Sequence, residues 1–89
     1  MTNPKIVIDD KIPYIKETIS KLTNRAVYIP GNMIGNDDIR DADALIIRTR
    51  THCDAQLLKG SNVKFVATAT IGYDHIDTTF MEQAGIKWI

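Results

Sequence analysis

Five short apolar runs rich in β-branched residues punctuate this chain, and the stretches between them carry helical patterning. Strands buried on both faces read as unbroken apolar runs, and parallel neighbours need a crossover, usually a helix, to connect them. The alternation therefore predicts an α/β fold: a parallel sheet of about five strands with helices on both faces. The runs fall at residues 5–10 (KIVIDD), 26–29 (AVYI), 44–49 (ALIIRT), 63–67 (VKFVA) and 86–89 (IKWI). No internal repeat or low-complexity segment interrupts them.

The connecting segments carry their own signals. Pro13 suits the first turn of a helix, where a missing N–H costs nothing, and Ile12, Ile15, Ile19 and Leu22 recur at helical spacing while Lys16, Glu17 and Lys21 face water. Asn24 and Arg25 close that helix, and Pro30-Gly31 stops the second strand. Residues 32–43 are weakly patterned, a loop rich in Asn, Gly and Asp with one helical turn around residues 37–42. Residues 50–53 are loop. Asp54 is placed to cap a short helix carrying Leu57 and Leu58, with Gly60 just past its end. Asp77 caps a further helix that puts Phe80, Met81 and Ala84 on one face, and Gly85 supplies the left-handed residue after it.

Charge and cysteine content narrow the function classes. Eleven basic and eleven acidic residues cancel in a chain of 89, so no global field steers it toward nucleic acid or an acidic membrane. Cys53 is the lone cysteine and cannot form an internal disulfide, and no paired histidine or second cysteine offers a metal site; this fits a reducing, cytoplasmic setting. No apolar run approaches the roughly 20 residues of a membrane span. The length allows one domain. The chain stops inside its fifth apolar run, at Trp88 and Ile89, which reads as a fragment because a natural domain rarely ends on an apolar edge strand.

The chemistry concentrates in residues 63–77 (VKFVATATIGYDHID), where the fourth run ends in a polar, glycine-bearing turn just before a helical pattern. In open α/β sheets, ligands collect outside the carboxyl ends of the strands, where loops expose backbone N–H groups beside the amino ends of helices. Arg48 and Thr49 fall at that end of the third strand; Thr68, Thr70 and Gly72 fall at that end of the fourth. Gly72 permits close approach of the main chain, and the N–H groups of Ile71 and Gly72 could hold a carboxylate. The set suits a small, anionic, hydroxylated ligand. The plainer alternative is that the threonines satisfy turn backbone and the arginine forms a surface ion pair. Asp9 and Asp10 form an acidic pair of the kind that holds magnesium in phosphorylation receiver domains. A receiver needs an aspartate where Arg48 and Thr49 stand, so capping and bonding to nearby backbone is the expected role. His75 reads as a turn histidine, and His52 beside Cys53 is not spaced as a dyad. There is no G-x-G-x-x-G and no G-x-x-x-x-G-K-[ST].

Taken in order, KIVIDDKIPY, DADALIIRTRT, KFVATATIGYDHID and QAGIKWI resemble the amino-terminal segment of the D-isomer-specific 2-hydroxyacid dehydrogenases, over nearly the whole chain. The resemblance implies a two-domain enzyme in which residues 1–89 form most of a flavodoxin-like substrate-binding domain of strand order 2-1-3-4-5. It implies oxidation of a small phosphorylated 2-hydroxy acid by hydride transfer to NAD, in pyridoxal phosphate biosynthesis, with NAD bound by a domain absent from this chain. It places Thr49 and Thr70 on the substrate and the N–H groups of Ile71 and Gly72 on its carboxylate, with Arg48 beside them. The catalytic arginine, glutamate and histidine belong to the later domain, so no residue here is catalytic. The parent is expected to be a homodimer, and the fragment alone inactive and prone to self-association, because a returning helix would otherwise cover it. Two readings stay open beside this one: a small non-catalytic α/β binding or regulatory domain, and the substrate domain of another family member such as a phosphoglycerate dehydrogenase.

Overall fold

All five apolar runs enter one parallel sheet. The computed structural model describes residues 3–69 and 75–89, and the expectations for Thr70, Ile71 and Gly72 lie outside them. The strands are β1 (Lys5–Asp9), β2 (Arg25–Ile29), β3 (Ala44–Ile47), β4 (Phe65–Thr68) and β5 (Lys87–Trp88), in the order β2-β1-β3-β4-β5. The helices are α1 (Ile15–Ser20), α2 (Asn36–Ile39), α3 (Ala55–Leu58) and α4 (Thr78–Ala84), and a single 3₁₀ turn, Gly31–Met33, follows β2. The chain starts at β1, steps outward to β2, then crosses back over β1 to β3. The sheet therefore changes direction between β1 and β3, and ligands in such sheets collect at that crevice.

Register sorts the side chains by face. Leu45 lies between Val7 and Val66, and one residue on, Ile46 lies between Ile8 and Ala67. Val7, Leu45, Ile47 and Val66 are fully buried under Ile39 of α2, Leu57 and Leu58 of α3 and Met81 of α4. The opposite face holds Ile6 and Ile8 under Ile19 of α1, with Ile12, Ile15, Ala26 and Tyr28 at the margin. There, Ala44, Ile46, Phe65 and Ala67 stay only partly buried.

Local chemistry sets the helix ends. The Asp54 side chain accepts the N–H of Leu57, the Asp77 side chain accepts that of Phe80, and Gly85 closes α4 in the left-handed region at φ 72°. Each satisfies backbone groups that a helix end leaves orphaned. At α1 the sequence pattern is overruled. Pro13 stays outside the helix, which begins at Ile15 after an exposed Tyr14 at φ 62°, with no side-chain cap. The helix then ends at Ser20, so Leu22 is exposed rather than on the core face. Thr23 is buried in its stead, and its hydroxyl bonds to the Pro4 carbonyl. Arg25 begins β2 opposite Lys5 instead of closing α1, and the helical turn expected around residues 37–42 is α2, Asn36–Ile39, which starts one residue earlier and ends three residues earlier.

Residues 50–53 are more than loop. Cys53 and Ile76 form a parallel bridge: the Cys53 N–H donates to the His75 carbonyl at 2.7 Å, and the Asp77 N–H donates to the Cys53 carbonyl at 2.9 Å. This rung ties the chain leaving β3 to the chain entering α4. Cys53 is fully buried, and desolvation, helped by the Asp54 charge, pushes its thiol up to about 12. It is a packing residue with no thiolate at neutral pH.

Candidate substrate-binding site

The carboxyl end of β3 turns sharply. Thr51 donates its N–H to the Arg48 carbonyl at 3.3 Å, which closes a four-residue turn with Thr49 and Arg50 at its centre. Arg48 donates Nη1 to the Lys11 carbonyl at 2.9 Å. Arg50 donates Nη2 to Asp9 Oδ1 at 2.6 Å and to Asp10 Oδ1 at 3.2 Å. The buried Thr51 hydroxyl donates to the Gly31 carbonyl at 2.8 Å. Thr49 is exposed, and its hydroxyl has no hydrogen bond among the described residues.

The acidic pair therefore does something the sequence did not disclose. Asp9 does accept the N–H of Lys11, at 2.8 Å, as nearby-backbone bonding required. Neither carboxylate caps α1, however, and both are paired with Arg50. Asp9 is fully buried, and a carboxylate out of water needs a cation or several donors. Those hydrogen bonds, Asp9 foremost, hold the Arg50 guanidinium above its usual range against its own desolvation. The ion pair expected of Arg48 belongs to Arg50, whose only sequence-level signal was the unexplained acidic pair at the end of the first strand.

The neighbouring tip, at β4, is described up to Ala69 and again from His75. The Ala69 N–H donates to the Ile47 carbonyl and the Thr68 N–H to the Ile89 carbonyl, each at 2.9 Å. Buried His75 lies with Nε2 2.9 Å from the Thr68 hydroxyl, and its carbonyl accepts from Cys53. The register sets Ile47 beside Thr68, so the two tips are adjacent in the sheet. Thr49 follows two residues after Ile47. Thr70, Ile71 and Gly72 follow directly after Ala69, outside the described residues.

A separate cavity of about 360 Å³ opens between the segment after β2 and the segment before α3, with Gly31, Asn32, Arg50, Thr51, His52 and Gln56 in its walls. Arg48 and Thr49 do not line it. Among the described residues no group of three His, Cys, Asp or Glu side chains is placed to hold a metal ion.

The model of the D-isomer specific 2-hydroxyacid dehydrogenase catalytic domain matches residues 6–89. The chain belongs to that family. It is 63% identical over 84 residues to an erythronate-4-phosphate dehydrogenase of Bacteroides thetaiotaomicron, and 56% identical over 84 residues to one of Bacteroides fragilis. Each alignment covers 94% of this chain and 24% of the relative, so the chain spans about a quarter of the length of the curated relatives it matches. Among solved structures, an NAD+-bound 3-phosphoglycerate dehydrogenase of Entamoeba histolytica superposes with a TM-score of 0.82 at 28% identity, over 98% of this chain and 32% of that one. A 2-hydroxyacid dehydrogenase of Polaromonas shares the fold, with a TM-score of 0.76 at 22% identity over 98% of this chain and 30% of that one.

Proposed function

We infer that this chain is the substrate-binding part of an NAD-dependent enzyme that oxidises 4-phospho-D-erythronate, a 2-hydroxy acid, in pyridoxal phosphate biosynthesis. The observation that carries this reading is the 63% identity over 84 residues to a relative named for that reaction. The strand register supports it: the exposed Thr49, whose hydroxyl has no hydrogen bond among the described residues, follows β3, and β3 lies beside β4, which leads in sequence to Thr70, Ile71 and Gly72. In this reading Thr49 and Thr70 bond the substrate's oxygens, the N–H groups of Ile71 and Gly72 hold its carboxylate, and the Arg48 guanidinium adds positive charge to that wall.

When bound by the intact protein, NAD would supply the acceptor for the hydride of the alcohol carbon; with the hydroxyl proton passing to a base, the products would be a 2-oxo acid and NADH. The contribution of residues 1–89 is to hold the alcohol carbon in one orientation, the kind of positioning that supplies much of an enzyme's rate. The intact protein is a homodimer whose domains close over the substrate and exclude water.

The test is a turnover assay of the intact protein with NAD and either 4-phospho-D-erythronate or 3-phosphoglycerate. Turnover of the first by at least tenfold over the second, read as kcat/KM, is expected, and the 89-residue chain alone gives none. The reverse preference would assign the protein to a phosphoglycerate dehydrogenase, and turnover of neither would support a non-catalytic binding domain.

A further inference from the structure

In the turn at the end of β3, Arg48, Arg50 and Thr51 spend their side chains on the scaffold, while the Thr49 hydroxyl makes no hydrogen bond among the described residues. Both arginines reach the carboxyl end of β1 and the two residues after it, Arg48 at the Lys11 carbonyl and Arg50 at Asp9 and Asp10. Thr51 ties the turn to the chain leaving β2, at the Gly31 carbonyl. The turn is thus strapped to both strands on its left, and what it offers to solvent is the Thr49 hydroxyl.

The strap centres on Asp9. Its side chain is fully buried and Oδ1 takes two donors, the Lys11 N–H and Arg50. Oδ2 has no partner among the described residues and lies against Gly31, where an added Cβ would come within 2.2 Å. A buried carboxylate with an idle oxygen depends on its one cation, and removing either partner leaves an uncompensated group. Asp9 and Arg50 are committed to each other.

We propose that Asp9 is a positioning residue for the substrate site: it fixes Arg50, Arg50 fixes the turn, and the turn sets the place of the Thr49 hydroxyl. This rests on the reading of Thr49 as a substrate contact. Asp9 does not touch the substrate, and its charge has the wrong sign to attract an anion. That sign separates two outcomes. If Asp9 acted only through its field, replacing it with a neutral residue would tighten the binding of an anionic hydroxy acid. Acting through geometry, the same replacement weakens it.

Two measurements decide. In the intact protein, Asp9→Asn raises KM for 4-phospho-D-erythronate at least tenfold while KM for NAD stays within twofold. Arg50→Gln does the same, and the double variant is no worse than the more impaired single. An unchanged or lowered substrate KM in Asp9→Asn overturns the proposal, and so does full additivity of the two effects. The second measurement is independent of catalysis. In the isotopically labelled 89-residue chain, Asp9→Asn and Arg50→Gln each shift the Thr49 amide and Cβ resonances in the same direction. A Thr49 signal that stays in place overturns the proposal even if the enzyme is active. Should Asp9→Asn not fold, Arg50→Gln carries both readouts. Absence of dehydrogenase activity in the unsubstituted intact protein would instead refute the proposed function, and the resonance test would still stand.

Discussion

The two faces of this sheet are built from the same five strands and are finished to different degrees. On one, α2, α3 and α4 bury Val7, Leu45, Ile47 and Val66 completely, and Cys53, Val63, Ile76 and Ile86 close the seams between them. On the other, the short α1 covers Ile6 and Ile8 near the β2 edge and leaves Ala44, Ile46, Phe65 and Ala67 partly open. The difference teaches that strand composition does not report how well a face is covered. Ile46 and Ile47 are the same residue type, adjacent in one strand, yet Ile47 is sealed and Ile46 is not.

The largest effect expected from that asymmetry is in stability. Leu45→Ala on the sealed face removes methyl groups from a site that cannot collapse and costs roughly 3–4 kcal/mol, whereas Ile46→Ala costs about 1–2 kcal/mol. Urea unfolding of the 89-residue chain measures both, and equal losses would mean that the faces are equally packed. Smaller in energy is the tendency to self-associate. The partly open face is contiguous apolar surface of the kind that drives association. Ile46→Lys should return the chain to monomer in sedimentation at high concentration, while Lys64→Glu, at an exposed position, should not. An unsubstituted 89-residue chain that sediments as a monomer at high concentration would show that the open face drives no association. The smallest effect belongs to Leu22, apolar by type and exposed by position: Leu22→Ser changes stability by no more than about 0.5 kcal/mol. A loss of about 2 kcal/mol would show that α1 extends a turn further than Ser20.

Most of the sheet was legible because its signals are local. Each strand announced itself by a β-branched run, and Asp54, Asp77 and Gly85 marked helix ends through chemistry that reaches no further than four residues. What the sequence concealed depends on contacts made after folding. Tyr14 takes a left-handed backbone that only the β1–α1 connection requires. The Cys53–Ile76 rung joins segments 23 residues apart, and the Asp9–Arg50 pair spans 41. The candidate site divides the same way. Residue types at the strand ends drew attention to Arg48 and Thr49, but nothing in their spacing indicated that Arg48 braces the turn from the Lys11 carbonyl or that Arg50 is the arginine held by the acidic pair.

In the proposed function the adjacent tips of β3 and β4 together hold a hydroxy acid. Calorimetric titration of the NADH-bound intact protein with 4-phospho-D-erythronate, for the unsubstituted protein and for Thr70→Val, addresses it most directly. At least tenfold weaker substrate binding, about 1.4 kcal/mol, is expected in the variant, with NADH affinity within twofold of the original. Unaltered substrate affinity, or a loss confined to NADH, would contradict it.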